Sequence, residues 1–195
     1  MSKINKKYND ILEAAQKLFW KFGFKKVTIE EICVEGNVSK MTFYKHFDNK
    51  TELAKKVLDS VVAKAIDDFT DLKNKAGSSV ELIEGMLKMK KDGINEISKE
   101  FLSDFYTDTD LGLSEYLHAK TGQVMVSMLA DFKELQDRGL IRSDLNIQFY
   151  LYMANKLSTF MDDPYLLSLY ANPEDLIMEF TNLFAYGMSP HNNTK

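Results

Sequence analysis

The sequence predicts an all-α protein, with a small N-terminal three-helix domain containing a helix-turn-helix and a larger helical bundle behind it. Three observations carry this prediction. Apolar residues recur at three- and four-residue spacing along most of the chain. Helix-start signals punctuate those stretches, each a Thr, Ser or Asn at a cap position. Strand-like alternation and internal repeats do not stand out, and the 195 residues include only 9 Gly and 3 Pro.

Each element has its own justification. From Tyr8 to Phe22, the residues Ile11, Leu12, Ala15, Leu18, Phe19 and Phe22 form one buried stripe. Gly23 supplies a left-handed position that ends the helix, and Phe24 folds back on the last turn. In "TIEE", Thr28 and Glu31 form a capping box that opens a short helix through about Glu35. "GNV" interrupts it, because Asn37 accepts positive φ. Ser39 caps the next helix, expected to end near Phe47. Asn49 and Glu52 read as a second capping box, opening a helix to about Lys75.

"KAGSS" then breaks the pattern, and helices are expected at about 80–95 and 96–106. "TDTDLG" separates these from a long helix at about 113–138, which Gly139 ends. Another helix runs from about Asn146 to Met161 and is broken by "DDP". Asn172 followed by Pro173 starts the last helix, to about Gly187, before a frayed tail "SPHNNTK". Two domains are expected, residues 1–50 and 51–195.

Composition bounds the function. The chain is 45% hydrophobic and 28% charged, ordinary for a globular helical protein. It has no apolar run near the roughly 20 residues of a membrane span. The polar start and the single cysteine, Cys33, fit a cytoplasmic protein with no disulfide framework. The net charge of −4 hides an asymmetry, +5 over residues 1–56 and −9 over the remainder. A basic head on an acidic body points to a polyanion met by the head alone, although chance and solubility give the same balance.

Two short helices around a three-residue turn are the layout of a helix-turn-helix, whose second helix enters the DNA major groove. At 100° per residue, Phe43 and Phe47 share one face and can pack on Ile29, Ile32 and Cys33, with Val38 closing the turn. Met41, Thr42, Tyr44 and Lys45 take the opposite face, with Lys40 and His46 at its margins. Lysines neutralise phosphates, hydroxyls and imidazoles donate hydrogen bonds, and Met41 suits a thymine methyl. Lys6, Lys7, Lys50, Lys55 and Lys56 cluster at neighbouring helix starts. A solvated amphipathic helix is the plainer alternative for such a turn.

The stretch "ILEAAQKLFWKFGFKKVTIEEICVEGNVSKMTFYKHFDNKTEL" (Ile11 to Leu53) resembles the DNA-binding domain of the TetR family of bacterial transcriptional regulators. The resemblance implies base-facing positions at Lys40, Met41, Thr42, Tyr44 and Lys45. It implies phosphate contacts from Thr28, Ser39, His46 and Lys50. Gly36-Asn37 replaces the family's usual Ala-Gly, and Met41 replaces a frequent Gly, which should shift operator preference. The head has no arginine, so bidentate Arg–guanine reading is unavailable.

"GLIRSDLNIQFYLYMANKLSTFM" and "NPEDLIMEFTNLFAYGM" resemble the helix pair through which TetR-like proteins dimerise. Phe149, Tyr152, Met153, Leu157, Phe160, Leu176, Ile177, Phe180, Leu183 and Phe184 give these helices more apolar surface than one body needs, and packing within one subunit is the alternative. The resemblance also implies a small-molecule effector. A candidate lining is Met86, Met89, Phe101, Phe105, Tyr106, Tyr116, Met125, Met128 and Phe132, a pattern that plain core produces equally. The acidic body would suit a cationic effector with Asp104 or Glu115 as counter-charge, though solvated acidic faces explain it as well.

The expected function is a homodimeric, sequence-specific transcriptional regulator, a repressor released from palindromic double-stranded DNA by its effector. The alternative is an activator or co-regulator whose body binds a protein partner. Neither cofactor nor metal is expected. Cys33 reads as packing, and His46, His118 and His191 stand in unrelated contexts. No phosphate loop or nucleophile turn suggests an enzyme.

Overall fold

The computed structural model describes residues 3–107, 110–160 and 163–190. Parts of the expected breaks at "TDTDLG" and "DDP", the expected helix end at Met161, and the tail with His191 lie outside the described residues. Every regular element described is helical: α1 (Lys3–Phe22), α2 (Ile29–Glu35), α3 (Lys40–Tyr44), α4 (Lys50–Lys75), α5 (Ser79–Gly93), α6 (Lys99–Leu102), α7 (Leu113–Asp137), α8 (Ile147–Lys156), α9 (Pro164–Ser168) and α10 (Pro173–Gly187). A π-helical turn follows α6 at Ser103–Thr107, and a 3₁₀ turn follows α8 at Leu157–Phe160. Among the described residues, no helix is long and apolar enough to cross a membrane.

The expected start signals hold at Thr28, Ser39, Asn146 and Asn172, each side chain accepting a backbone N–H of its helix's first turn. Asn49 Oδ1 accepts the Glu52 N–H at 2.8 Å, but the Glu52 carboxylate reaches the Asp48 N–H instead of completing a capping box. The recognition-type helix α3 is shorter than expected, stopping at Tyr44 before a turn that carries His46 and Phe47. The helix expected at 96–106 starts at the Ser98 cap and widens into the π turn. A further short helix, α9, was not expected; Asp163 caps it with Pro164 in its first turn.

Compact packing does not divide the chain at residue 50. One unit is Met1–Ala63 with Glu96–Leu117, and the other is Lys64–Asn95 with His118–Lys195. Helix α4 therefore contributes to both, and the segment around α6 belongs with the N-terminal helices.

In the first unit, Ile11, Ala15 and Phe19 of α1 are wholly buried, as are Ile32, Phe43 and Leu53 of the neighbouring helices. The connection from α1 to α2 turns at Gly23, whose φ of +79° only glycine adopts without strain. Asp104 of the π turn sits 6% exposed and accepts the Lys25 N–H at 2.9 Å. Around it, Trp20 meets Phe101 at 4.4 Å between ring centroids, and Phe101 stacks on Phe105 at 4.5 Å. The Ser98 N–H donates to the Trp20 carbonyl at 2.9 Å, and Lys26 pairs with Glu100 at 2.8 Å. This segment is thus bolted to the start of the helix-turn-helix by rings, an ion pair and backbone hydrogen bonds.

The second unit has its own core, including Phe69, Leu82, Ile83, Phe132, Leu135, Ile141, Tyr150 and Leu151. Phe69 stacks on Phe132 at 5.8 Å, and Tyr150 donates its hydroxyl to the Phe184 carbonyl at 3.2 Å. Arg138 closes the end of α4 by donating to the carbonyls of Lys73 and Ala76, both at 2.7 Å.

The tightest point of the first unit is Gly23. A Cβ there would lie 2.7 Å from Asp104 Oδ2 and 2.9 Å from the Glu100 Cβ. Gly23→Ala is expected to destabilise the protein by about 1–3 kcal/mol, through a left-handed alanine and an overpacked contact. Urea unfolding followed by tryptophan fluorescence checks this, since Trp20 reports on that cluster.

Candidate nucleic-acid interface

A five-residue helix has little stability of its own, because its nucleation cost is never recovered by propagation. Helix α3 is held from outside instead. The Ser39 hydroxyl accepts the Thr42 N–H at 3.1 Å, and Phe43 is fully buried. Phe47, 2% exposed, lies 5.8 Å from Phe43 and stacks on Tyr8 of α1 at 5.1 Å. The turn before it is equally fixed. Asn37 has φ +48°, the Val38 N–H returns to the Cys33 carbonyl at 2.9 Å, and Lys7 donates to the Asn37 carbonyl at 3.0 Å. A Cβ at Gly36 would stand 3.0 Å from the Asp10 carbonyl, so the turn presses closely on α1.

With its rings anchored, α3 turns the rest of its side chains to solvent. Met41 is 68% exposed and Tyr44 54% exposed, with Lys40 and Lys45 exposed beside them. Thr42 is half-buried, its hydroxyl 2.9 Å from that of Ser39. His46 is also half-buried and meets the Tyr8 ring edge-on at 5.8 Å. Of the anticipated DNA-facing residues, the structure therefore presents Lys40, Met41, Tyr44 and Lys45 openly, and Thr42 and His46 less so. Thr28 and Ser39 are exposed while also serving as caps, Thr28 with its hydroxyl and backbone N–H both bonded to Glu31.

Lys50 departs from the expectation of a phosphate contact. Its ammonium donates to the carbonyls of Phe24 and Val27, at 2.8 and 2.7 Å, and lies 4.3 Å from the Phe24 ring centroid. These carbonyls, in the connection before α2, have no helical partner, so the lysine satisfies them. Burial pushes its pKa down, against the pull of Asp104 and Glu31. Other members of the expected lysine cluster are also engaged: Lys55 lies over the Tyr116 ring, and Lys56 is 3.9 Å from Asp59.

One residue that sequence reasoning missed stands at the interface. Glu30, in the first turn of α2, accepts a hydrogen bond from the Lys40 ammonium. A separation of ten residues across a turn has no helical periodicity, so only the folded helix-turn-helix makes the pair visible. A recess of about 740 Å³ along α1 and the turn carries Lys6, Lys7 and Lys17 among Asp10, Glu13 and Glu35. Its mixed signs cancel as a field for one anion.

The residues expected to line an effector pocket do not form one set. Phe101, Phe105, Tyr106 and Tyr116 belong to the first unit, and Met86, Met89, Met125, Met128 and Phe132 to the second. Phe101, Phe105 and Phe132 are at most 3% exposed and pack against other rings, so they are core rather than wall. Tyr116 donates to Asp59 at 2.6 Å, and its pKa is pushed up to about 12 by burial and by that carboxylate. The four methionines are half-buried at the edge of the second core. Asp104, offered as a counter-charge, is taken by the Lys25 N–H; Glu115 is exposed.

The residues expected at a dimer interface also divide. Leu176 and Ile177 are buried within their own unit. Phe149, Tyr152, Phe160 and Leu183 are 43–67% exposed, with Met153, Leu157, Phe180 and Phe184 partly covered. An apolar recess of about 280 Å³ lies between α8 and α10, bordered by Phe149, Met153, Leu183 and Phe184.

Residues 11–57 match the family model for bacterial regulatory proteins of the tetR family. The HTH-type transcriptional regulator TtgR of Pseudomonas putida is 39% identical over 51 residues, 26% of this chain and 24% of that protein. The chain thus spans about a quarter of the length of that curated relative. A TetR-family transcriptional regulator from Cytophaga hutchinsonii superposes with a TM-score of 0.69, at 14% identity, over 98% of this chain and 99% of that one. The regulator FadR from Bacillus subtilis, solved in complex with stearoyl-CoA, gives 0.63 at 13% identity over 92% and 98%. The head thus resembles that of bacterial regulatory proteins of the tetR family, and over its whole length the chain shares the fold of the solved regulator from Cytophaga hutchinsonii.

Proposed function

We propose that the chain is a cytoplasmic, homodimeric transcriptional regulator that reads a palindromic duplex with α3 and releases it when a small molecule enters the helical body. The observation that carries the reading is the two-faced α3. Its phenylalanines are locked into the head, while Met41, Tyr44 and Lys45 stand exposed to meet base edges and phosphates, with Lys40 beside them paired to Glu30. Thr28, Ser39, Thr42 and His46 complete the contact surface in this reading, and Lys50 acts inside the head by holding the α1–α2 connection in place.

A second copy is the occupant proposed for the apolar surface of α8 and α10. Side chains as large as Phe149, Tyr152, Leu183 and Tyr186 left in water favour self-association, and a two-fold axis pairs the same patch with itself. Two recognition helices then meet half-sites about one helical turn apart, near 34 Å.

The effector side of the reading rests on the body and on the α6 segment. Met86, Met89, Met125 and Met128 give an adaptable apolar wall at the edge of the second core. Lys90 follows Met86 by one helical turn on α5, and no carboxylate pairs with it among the described residues. Lys90 is exposed, and desolvation by the surrounding protein lowers its pKa. An effector with an apolar tail and an anionic head suits these residues better than a cation. FadR, with its stearoyl-CoA, is a fold neighbour whose ligand has that chemistry. The chain from α5 to α7 passes through the α6 segment, which is bolted to the head.

A duplex selected from a randomised library by the purified chain tests the core of this reading. Binding is expected to weaken with salt by a log–log slope of about −0.9 for each phosphate neutralised, and a slope near zero removes the reading. Tyr44→Phe is expected to cost about 1–3 kcal/mol of affinity for the selected duplex at unchanged thermal stability. Lys40→Ala is expected to weaken the selected duplex by about 1–3 kcal/mol with the fold kept. For the dimer, Phe149→Glu with Leu183→Glu should convert a two-chain species to one chain in sedimentation equilibrium; a wild type that is already monomeric discards that part.

A further inference from the structure

We infer that Glu30 is a specificity-determining residue, which through its pair with Lys40 separates target DNA from DNA of any other sequence. This inference rests on the reading of α3 as the DNA-reading helix and adds a residue from the helix before it. The Lys40 ammonium, at the first position of α3, donates to the Glu30 carboxylate on α2. The two side chains keep 55% and 59% of their area exposed, so the pair lies on the outer surface of the helix-turn-helix. It leaves Lys40, one of the openly presented cations of α3, with a carboxylate already attached. The influence is mutual: the hydrogen bond from Lys40 holds the Glu30 carboxyl below its ordinary pKa, and Glu30 raises that of Lys40.

The chemistry of the pair discriminates between kinds of contact. Phosphates are present on every duplex. For Lys40 to turn fully to a phosphate, it must leave Glu30, and the freed carboxylate then faces the phosphates as a like charge. That penalty applies to all sequences equally and weakens binding that uses the backbone alone. An ammonium has three N–H donors, however. Where a guanine O6 or N7, or a thymine O4, meets Lys40 from the groove, one donor serves the base while another stays on Glu30. A cytosine N4 amino group offers a further donor to the carboxylate itself. Base-edge contacts keep both charges satisfied, and backbone contacts do not. With no arginine in the head to read guanine bidentately, this pair supplies discrimination that the lysine alone lacks.

The test uses the full chain and two duplexes: one selected by the wild type from a randomised library, and one scrambled duplex of the same length and composition. Affinities are measured across a salt series for the wild type, Glu30→Gln, Lys40→Met and the double variant. Glu30→Gln is expected to tighten the scrambled duplex by about two- to fivefold, the range an exposed ion pair commands. The selected duplex is expected to gain nothing, so the ratio of the two affinities falls. In the Lys40→Met background, the same substitution shifts both duplexes alike. Equal tightening of both duplexes with Lys40 present reduces Glu30 to a diffuse negative field and overturns the inference, as does no change in either. Glu30→Ala, with a stronger helix former at the same exposed position, repeats the measurement should the amide disturb α2. A wild type that selects no duplex overturns the DNA-binding reading itself, an outcome distinct from a failure of the pair.

Discussion

The burial of Phe43 and Phe47 is the constraint on which the functional surface depends. Helix α3 is too short to persist by its own hydrogen bonds, and Ser39 satisfies only part of its first turn. What fixes its direction is the buried pair of rings, Phe43 beside Phe47, with Tyr8 of α1 stacked on Phe47. Every outward position follows from that burial, since one residue's rotation of the rod would swap Tyr44 for Phe43 at the surface. The direction of the exposed side chains of α3 is therefore set by packing.

The same economy governs the connection that leads into α2. Its carbonyls at Phe24 and Val27 would be left without partners by the turn at Gly23, and the Lys50 ammonium supplies them. Asp104 serves the Lys25 N–H from the other direction. A lysine and an aspartate that look like charges awaiting a ligand are instead occupied with backbone groups. The Asp104 hydrogen bond ties the start of the helix-turn-helix to the π turn.

Much of the head was legible because its signals are local. The capping box at Thr28 and Glu31, the left-handed Asn37 and the one-sided phenylalanines each act within four residues and appear where periodicity places them. The unreadable features are long-range. Nothing near Lys50 in the sequence announces carbonyls 23 and 26 residues earlier, and nothing near Glu30 announces Lys40. Phe101 and Phe105 have the spacing of a pocket wall, but their partners are Phe19, Trp20 and Phe24 of the head, so they form core. The short helix α9 escaped notice because its cap lies at the edge of a loop read only as a break.

The membership of Glu96–Leu117 in the first unit bears on any attempt to move the head between proteins. A graft cut after residue 50, or even after 63, leaves behind the rings that cover Trp20 and Phe24 and the carboxylate that holds Lys25. Such a transplant would carry a bare aromatic face into its new host. A working chimera needs two splices, so that the donor's middle segment travels with its beginning.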